Sequence, residues 1–240
     1  MAIRNLAAAF ILFLLFGCAA PLSRTNPFAA VRSLDLKRVL ILPPKVDVFE
    51  IGAGGVKEKI DEWSQKASEN VAAGLIAHLY GRSILQVTNF PTTGLAVGLT
   101  TALTETDLLY DAINRSLLLH SYGLAAHQFD DHRFELSLGK EVAQLKVSEA
   151  DAFLLVRGSD EISSAGRKAL QGATMLAAAA MGVIVIPQPG LTALSLALVD
   201  ANDGTILWHS LHRGGGGTDL RQAESAAKMV RDALRDFPIK

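Results

Sequence analysis

The chain has 240 residues, of which 50% are hydrophobic and 20% charged, and its formal net charge is −1. Disordered chains combine low hydrophobicity with high net charge, so this composition predicts a folded protein. Without an excess of Lys and Arg to neutralise phosphates, it excludes a strongly basic nucleic-acid-binding protein. A single Cys excludes an intramolecular disulfide framework and a zinc finger built from several Cys ligands.

Residues 1–17 have the pattern of a secretory signal peptide. Arg4 supplies the positive charge, and the apolar run at 6–16 is too short to span a bilayer as a helix. The segment ends in Leu15-Phe16-Gly17-Cys18, which resembles the lipobox of bacterial lipoproteins. We therefore expect cleavage between Gly17 and Cys18 and attachment of palmitate-type acyl chains to the Cys18 thiol. A plain secretory signal followed by an incidental Cys is the alternative.

Residue 19 bears on the membrane in which such a lipoprotein is held. It is Ala, whereas Asp at this position usually retains lipoproteins of enteric bacteria at the inner membrane. The sequence therefore favours a lipid anchor in the outer membrane with the protein facing the periplasm, and an anchor in the inner membrane is the alternative.

The stretch at 21–27 (PLSRTNP) is typical of a short tether. The expected organisation is thus a signal peptide at 1–17, the lipidated Cys and tether at 18–30, and one domain at 31–240. We also expect a chain that starts near Thr25 to fold without the lipid.

Apolar runs and helical periodicities alternate through the domain. The turn at 200–204 (DANDG) lies between two apolar runs and predicts a β-hairpin. These patterns predict a single α/β domain, in which a mixed sheet is flanked by helices and the chain ends in a β-hairpin and a helix. In chain order, the predicted elements are strand 37–42, helix 57–80, strand 84–88, a helix from an acidic capping box at 104–107 to about Gly123, short helix 139–145, strands 152–156, 191–199 and 206–209, and a helical stripe from Leu220 to Phe237.

Three segments of the domain resemble a known group of proteins. They are VLILPP at 39–44, EADAFLLVRG at 149–158 and LALVDANDGTILW at 196–208. With the lipobox, they resemble periplasmic lipoproteins of the curli-secretion and penicillin-binding-protein-activator type, whose α/β domain is similar to the N-terminal domain of the Tol-system translocation protein. The resemblance implies a non-catalytic envelope protein that works through a protein partner or as a homo-oligomer. No segment resembles the pore-forming strands of the curli channel.

Two glycine-rich runs are candidate anion sites. Gly52-Ala53-Gly54-Gly55 falls between a predicted strand and a predicted helix, but it lacks the tight turn and the following acid of a dinucleotide site. The run at 214–217 precedes the last helix, and a helix N-terminus can bind an anion. Consecutive glycines are more often flexible loops, so we favour loops in both places and predict no cofactor.

The densest group of potential metal ligands is His127, Asp130, Asp131 and His132, with His120 upstream. Zinc accepts imidazole and carboxylate ligands, so a metal site is conceivable here. The spacing gives no pair of His residues four apart on a helix, and a solvated loop is the favoured interpretation. A metal-dependent periplasmic hydrolase centred on residues 127–132 is the alternative function; the favoured one is a non-enzymatic binding or assembly role.

Residues 170–199 contain no charged side chain. Within them, 170–186 is too short to cross a membrane, because seventeen helical residues reach about 26 Å against about 30 Å of hydrocarbon. Its many Ala and Gly residues suit close packing between helices or subunits. We expect a short helix packed against the sheet or a neighbouring subunit, with contact at the membrane surface as the alternative.

Overall fold

The computed structural model describes residues 22–32, 36–80, 86–122, 134–147, 149–184, 186 and 190–239. The predicted α/β class is confirmed: the described residues form one mixed sheet of eight strands, connected by five α-helices and one 3₁₀ helix. In chain order the elements are β1 (Leu22–Thr25), α1 (Ala29–Arg32), β2 (Arg38–Ile41), β3 (Lys45–Ile51), β4 (Lys57–Lys59), α2 (Asp61–Tyr80), β5 (Gln86–Asn89), α3 (Val97–His120), the 3₁₀ helix (Lys140–Leu145), β6 (Ala152–Ser163), α4 (Ala165–Ala180), β7 (Thr192–Asp200), β8 (Ile206–Gly214) and α5 (Ala223–Ala233).

The strands lie in the order β1-β8-β7-β6-β2-β5. β5, β2 and β6 are parallel, whereas β6, β7, β8 and β1 pair antiparallel. β6 is twelve residues long and pairs first with β2 and then, from Arg157 onward, with β3. Pro43 and Pro44 separate β2 from β3 because proline has no N–H to give to a strand ladder. The hairpin β3–β4 therefore extends one end of the sheet beyond β2.

Helices cover both faces of the sheet. α2 and α5 pack on one face, and α3 with the 3₁₀ helix packs on the other. β7 contributes to both cores by simple alternation, with Leu196 and Leu198 on the first face and Ala197 and Val199 on the second. The predicted hairpin β7–β8 is present, and Gly204 takes a positive φ of 73° at its turn.

Two predicted helix starts are wrong. α2 begins at Asp61 rather than 57, because residues 57–59 form β4 and the Ile60 N–H donates to the Val48 carbonyl. α3 begins at Val97, so the predicted capping box at 104–107 lies inside the helix. The additional turns are stabilised by Leu99 and Leu103, which pack on the core, as does Leu95 just before the helix.

The N-terminal segment belongs to the sheet. Leu22–Thr25 pairs antiparallel with β8 as β1, and the Asn26 N–H donates to the Leu207 carbonyl at 2.9 Å. Arg32 then forms ion pairs with Asp200 and Asp203 at 3.2 and 2.7 Å. The sequence predicted a tether at 21–27 and a domain that starts at residue 31. Both predictions are wrong for residues 22–27, because these residues belong to the folded domain. β1 covers the edge of β8 that would otherwise be unpaired, so a chain starting near Thr25 loses a structural strand.

Candidate functional site

Several residues singled out in the sequence lie outside the described residues. Gly17 and Cys18 are among them, as are all four candidate ligands His127, Asp130, Asp131 and His132. Within the described ranges, no group of three or more His, Cys, Asp or Glu side chains is arranged to hold a metal ion. Lipidation and the metal alternative therefore remain predictions from the sequence.

The glycine run at 52–55 forms the turn between β3 and β4. The Gly52 N–H donates to the Val56 carbonyl at 2.9 Å, and Gly55 has a positive φ of 82°. A phosphate cradle of the dinucleotide type needs the turn to lead directly into a helix. Here the turn leads into a strand, which supports the loop interpretation.

The second glycine run ends β8 and begins a loop. Gly214 closes the strand, and α5 begins only at Ala223, so the run is not at the helix N-terminus. An open groove of about 590 Å³ lies beside it, lined partly by Arg213, Lys228 and Arg235. Two of these cations share Asp232, whose carboxylate lies 2.9 Å from Lys228 and 3.7 Å from Arg235. The groove is thus a partly neutralised surface cleft, and no enclosed anion site is formed there.

A buried polar cluster lies on β7, β8 and α3. The Ser195 Oγ is 2.8 Å from the His209 Nε2, and the Tyr122 hydroxyl is 2.9 Å from the His209 Nδ1. Asn114 Oδ1 accepts a hydrogen bond from Ser195 and lies 3.1 Å from the His209 Nε2. Sequence patterns did not reveal this cluster, because its members are up to 95 residues apart in the chain.

The cluster contains a serine beside a histidine, which raises the possibility of nucleophilic chemistry. The Ser195 hydroxyl donates its proton to Asn114 Oδ1. Removal of that proton by the histidine would instead need the hydroxyl to donate to the imidazole. Burial lowers the pKa of His209 to about 3, and the side chains of Ser195 and His209 are both buried. The cluster therefore holds α3 to the strands and has no access for a substrate.

A second polar group fixes α3 to β6. The Arg157 guanidinium contacts the carboxylates of Asp107 and Asp111, the first at 2.9 Å, and it lies 5.1 Å above the Tyr110 ring. Lys45 also reaches Asp107 at 2.7 Å. These charges are mutually paired, as buried charges must be, so this group is structural as well.

The end of the sheet beyond Arg157 is held by two acidic residues. Asp160 is fully buried and accepts hydrogen bonds from the Thr192 hydroxyl and the Leu220 N–H, each at 2.7 Å. Burial raises its pKa. Glu161 lies beside it and accepts a hydrogen bond from the Leu191 N–H at 3.3 Å. The strand ends from which residues 165–190 leave and return are therefore firmly tied together.

α4 leaves this end of the sheet without packing on it. Ser164 caps the helix by accepting a hydrogen bond from the Arg167 N–H, and its own N–H donates to the Ile51 carbonyl. Of the sixteen helical residues, Ala178 alone is buried. Large apolar side chains are left in solvent, including Leu176, which is 76% exposed.

The C-terminus of α4 turns sharply at Gly182. The Gly182 N–H donates to the Ala179 carbonyl and the Val183 N–H to the Ala178 carbonyl, at 3.0 and 2.8 Å, while Gly182 has a φ of 70°. These bonds form a Schellman cap, which needs a residue in the left-handed region. The apolar side chains that follow are also exposed, and Ile184 is 90% and Ile186 82% exposed.

The predicted helix within 170–186 is thus present, but its packing against the sheet is wrong. The uncharged sequence allowed a buried helix, yet the sheet faces were already covered by α2, α3 and α5. None of the helices in the described part of the chain is long and apolar enough to cross a bilayer. α4 with residues 181–184 and 186, named here the apolar excursion, is the candidate functional surface.

Comparison with known proteins gave structural similarities alone. No known protein family and no curated protein matches the chain. The chain is similar to the PelC dodecamer from Paraburkholderia phytofirmans, with 10% identity, coverage of 92% of this chain and 98% of that one, and a TM-score of 0.37. A second PelC dodecamer structure from the same organism gives 10% identity, 92% and 99% coverage, and a TM-score of 0.36. The LpoB C-terminal domain from Salmonella enterica gives 10% identity, 80% and 95% coverage, and a TM-score of 0.26. Similarity at this level transfers no function, so the function is argued from this chain's own residues.

Proposed function

We propose that this chain is a lipid-anchored bacterial envelope protein, held in the outer membrane through Cys18 and facing the periplasm, with a non-catalytic binding or assembly role. The observation that carries the binding role is the apolar excursion. A folded domain rarely leaves a contiguous apolar surface in water unless that surface contacts a partner or a membrane. The anchor is supported by the lipobox, in which the single Cys of the chain follows Gly17.

The geometry of the domain also supports binding over catalysis. The serine and histidine that lie within hydrogen-bond distance are buried in the core. The ion pairs of Arg157 join α3 to β6 and are held by those elements. The two polar groups described above, around His209 and Arg157, thus have structural explanations, and the largest feature without one is an apolar surface.

The anchor is tested by labelling cells with a radioactive fatty acid. Wild-type protein should carry the label, and Cys18→Ser should lose the label and accumulate as the unprocessed form. A matched control is the double variant Cys18→Ser/Ser23→Cys, which restores one thiol five residues away at the exposed edge of the sheet. It should stay unlabelled, because acylation depends on the lipobox position. Label on the Cys18→Ser protein would contradict the lipid anchor.

The binding role is tested by photo-crosslinking from residue 176 in intact cells. A photoreactive amino acid at Leu176 should give adducts with a partner protein or with membrane lipid, whereas one at Val31, an exposed apolar position on α1, should give far fewer of either kind. Equal, background yields at both positions would contradict a binding role for the apolar excursion.

A further inference from the structure

We infer that the apolar excursion is a second membrane contact, lying at the boundary between headgroups and acyl chains of the leaflet that holds the acylated Cys18. This inference rests on the proposed lipid anchor. It identifies a lipid surface, rather than a protein, as the occupant of the exposed helix.

The first argument is the distribution of apolar side chains around α4. At about 100° per residue, Met175 and Leu176 lie roughly 140° and 240° from Leu170 around the helix axis. All three are exposed, at 42%, 76% and 53% respectively. Gln171 and Thr174 lie roughly 100° and 40° from Leu170, so α4 has one polar side and a broad apolar face over the rest of its circumference. A broad apolar face opposite a polar one is the pattern of a helix that lies at the boundary between headgroups and acyl chains.

The second argument is the path of the N-terminal chain. Leu22 pairs with Leu211, three residues before the end of β8 at Gly214, and Gly214 pairs with Thr192 where β7 begins. From Leu22, β1 runs away from that end, so Leu22 lies at the end of β1 that faces the side on which α4 leaves the sheet. Cys18 is four residues before Leu22, a reach of at most about 14 Å. Leu22 itself lies about 10 Å from the end of β8. The acyl chains and the apolar excursion are therefore available to the same membrane surface.

The third argument is charge. The charged side chains of α4 are Arg167 and Lys168, both basic and both in its first turn. Arg213 lies at the neighbouring end of β8. Within the described ranges no carboxylate lies within 4 Å of these three cations, and the pKa of the nearby Asp219 is lowered by its hydrogen bond from Arg221 and, to a lesser extent, by the charge of Lys168. Basic side chains beside an apolar segment are attracted to anionic headgroups. At about 24 Å, α4 is too short to cross the bilayer, so it contacts one leaflet.

The experiment uses the mature, acylated protein with one fluorescent probe. Because acylation occupies the single native thiol, Leu176→Cys introduces one reactive thiol for an environment-sensitive dye. The labelled protein is reconstituted into vesicles of phosphatidylethanolamine and phosphatidylglycerol, with and without lipids that carry a nitroxide quencher. Val31→Cys is the matched control, because Val31 is an exposed apolar helix residue near Asp200 and Asp203, at the opposite end of the sheet.

We expect the dye at 176 to shift to shorter wavelength and to be quenched several-fold more by nitroxide lipid than the dye at 31. A dye at 176 that is quenched by aqueous iodide and not by lipid would overturn the inference. So would a short thiol crosslinker that joins two copies through residue 176 without lipid quenching, because the occupant would then be a second chain. Fatty acid on Cys18 is measured in the same sample. Acylated protein with an aqueous dye contradicts the membrane contact alone, whereas absence of fatty acid contradicts the anchor and the inference together.

Discussion

The two short helices α4 and α5 have opposite relations to the sheet. α5 alternates charged and apolar residues and buries Ala226, Met229, Val230 and Ala233. α4 has two charges at its start and none afterwards, and it buries one residue of sixteen. An amphipathic pattern thus specifies which face of a helix meets the core. A pattern rich in apolar and small residues, as in α4, indicates burial without specifying what covers the helix, and the sheet does not cover it.

The difference between the helices predicts unequal effects of the same substitution on stability. Leu234→Ala removes a fully buried side chain next to α5 and should lower the free energy of unfolding by about 2–5 kcal/mol. Leu176→Ala, on the exposed surface of α4, should change it by less than about 0.5 kcal/mol. Urea unfolding of both variants in detergent measures the difference. A large loss of stability for Leu176→Ala would show that α4 packs against the domain.

Sequence patterns predicted the strands and the helix that pack together in the core of the domain. The hairpin at 200–204, the strand at 191–199 and the helical stripe from Leu220 to Phe237 follow from local turn chemistry and hydrophobic periodicity. The cluster around His209 was beyond local patterns, because it forms only when β7, β8 and α3 are brought together. β1 was mistaken for a tether because a short edge strand is half exposed, and LSRT has no apolar alternation. The packing of α4 was mistaken because the sequence does not show that the sheet faces are already occupied.

Acid provides a second way to test the packed region. β8 contacts α5 through Ser210, whose hydroxyl donates to the Ala233 carbonyl, and it carries the buried His209 next in the chain. Burial lowers the folded-state pKa of His209 from 6.5 to about 3. Between these values the unfolded chain binds a proton that the folded chain does not, so stability falls as pH falls, by up to about 1.4 kcal/mol per pH unit. Burial lowers the pKa of His212 as well, which adds to the loss in the same direction.

Unfolding free energies measured between about pH 7 and pH 5 should therefore show this decline in the wild-type protein. His209→Gln should be less stable at neutral pH, because the hydrogen bonds of Tyr122 and Ser195 are disturbed, but its decline with acid should be smaller. Ser195→Ala is the control, because it disturbs the same cluster without removing a titratable group and should keep the wild-type slope. An unchanged slope in His209→Gln would mean that His209 is not buried in its neutral form.

The smallest expected effect is that of a Gly→Ala substitution in α4, and its sign shows whether α4 packs against another helix. A Cβ added at Gly172 of α4 meets no atom within 4 Å, whereas one added at Gly74 of α2 meets the Ala227 Cα at 3.3 Å. Ala is favoured over Gly inside a helix by about 0.5–1 kcal/mol. Gly172→Ala should therefore slow amide hydrogen exchange within α4 by roughly two- to five-fold, as that free energy implies. Gly74→Ala should gain less, because α2 and α5 approach closely at that point. If Gly172 were instead the contact point of a tight helix pair between two copies, Gly172→Ala would separate the helices and speed exchange in α4. The sign of this small change thus distinguishes a helix surrounded by solvent or lipid from one held by a second chain.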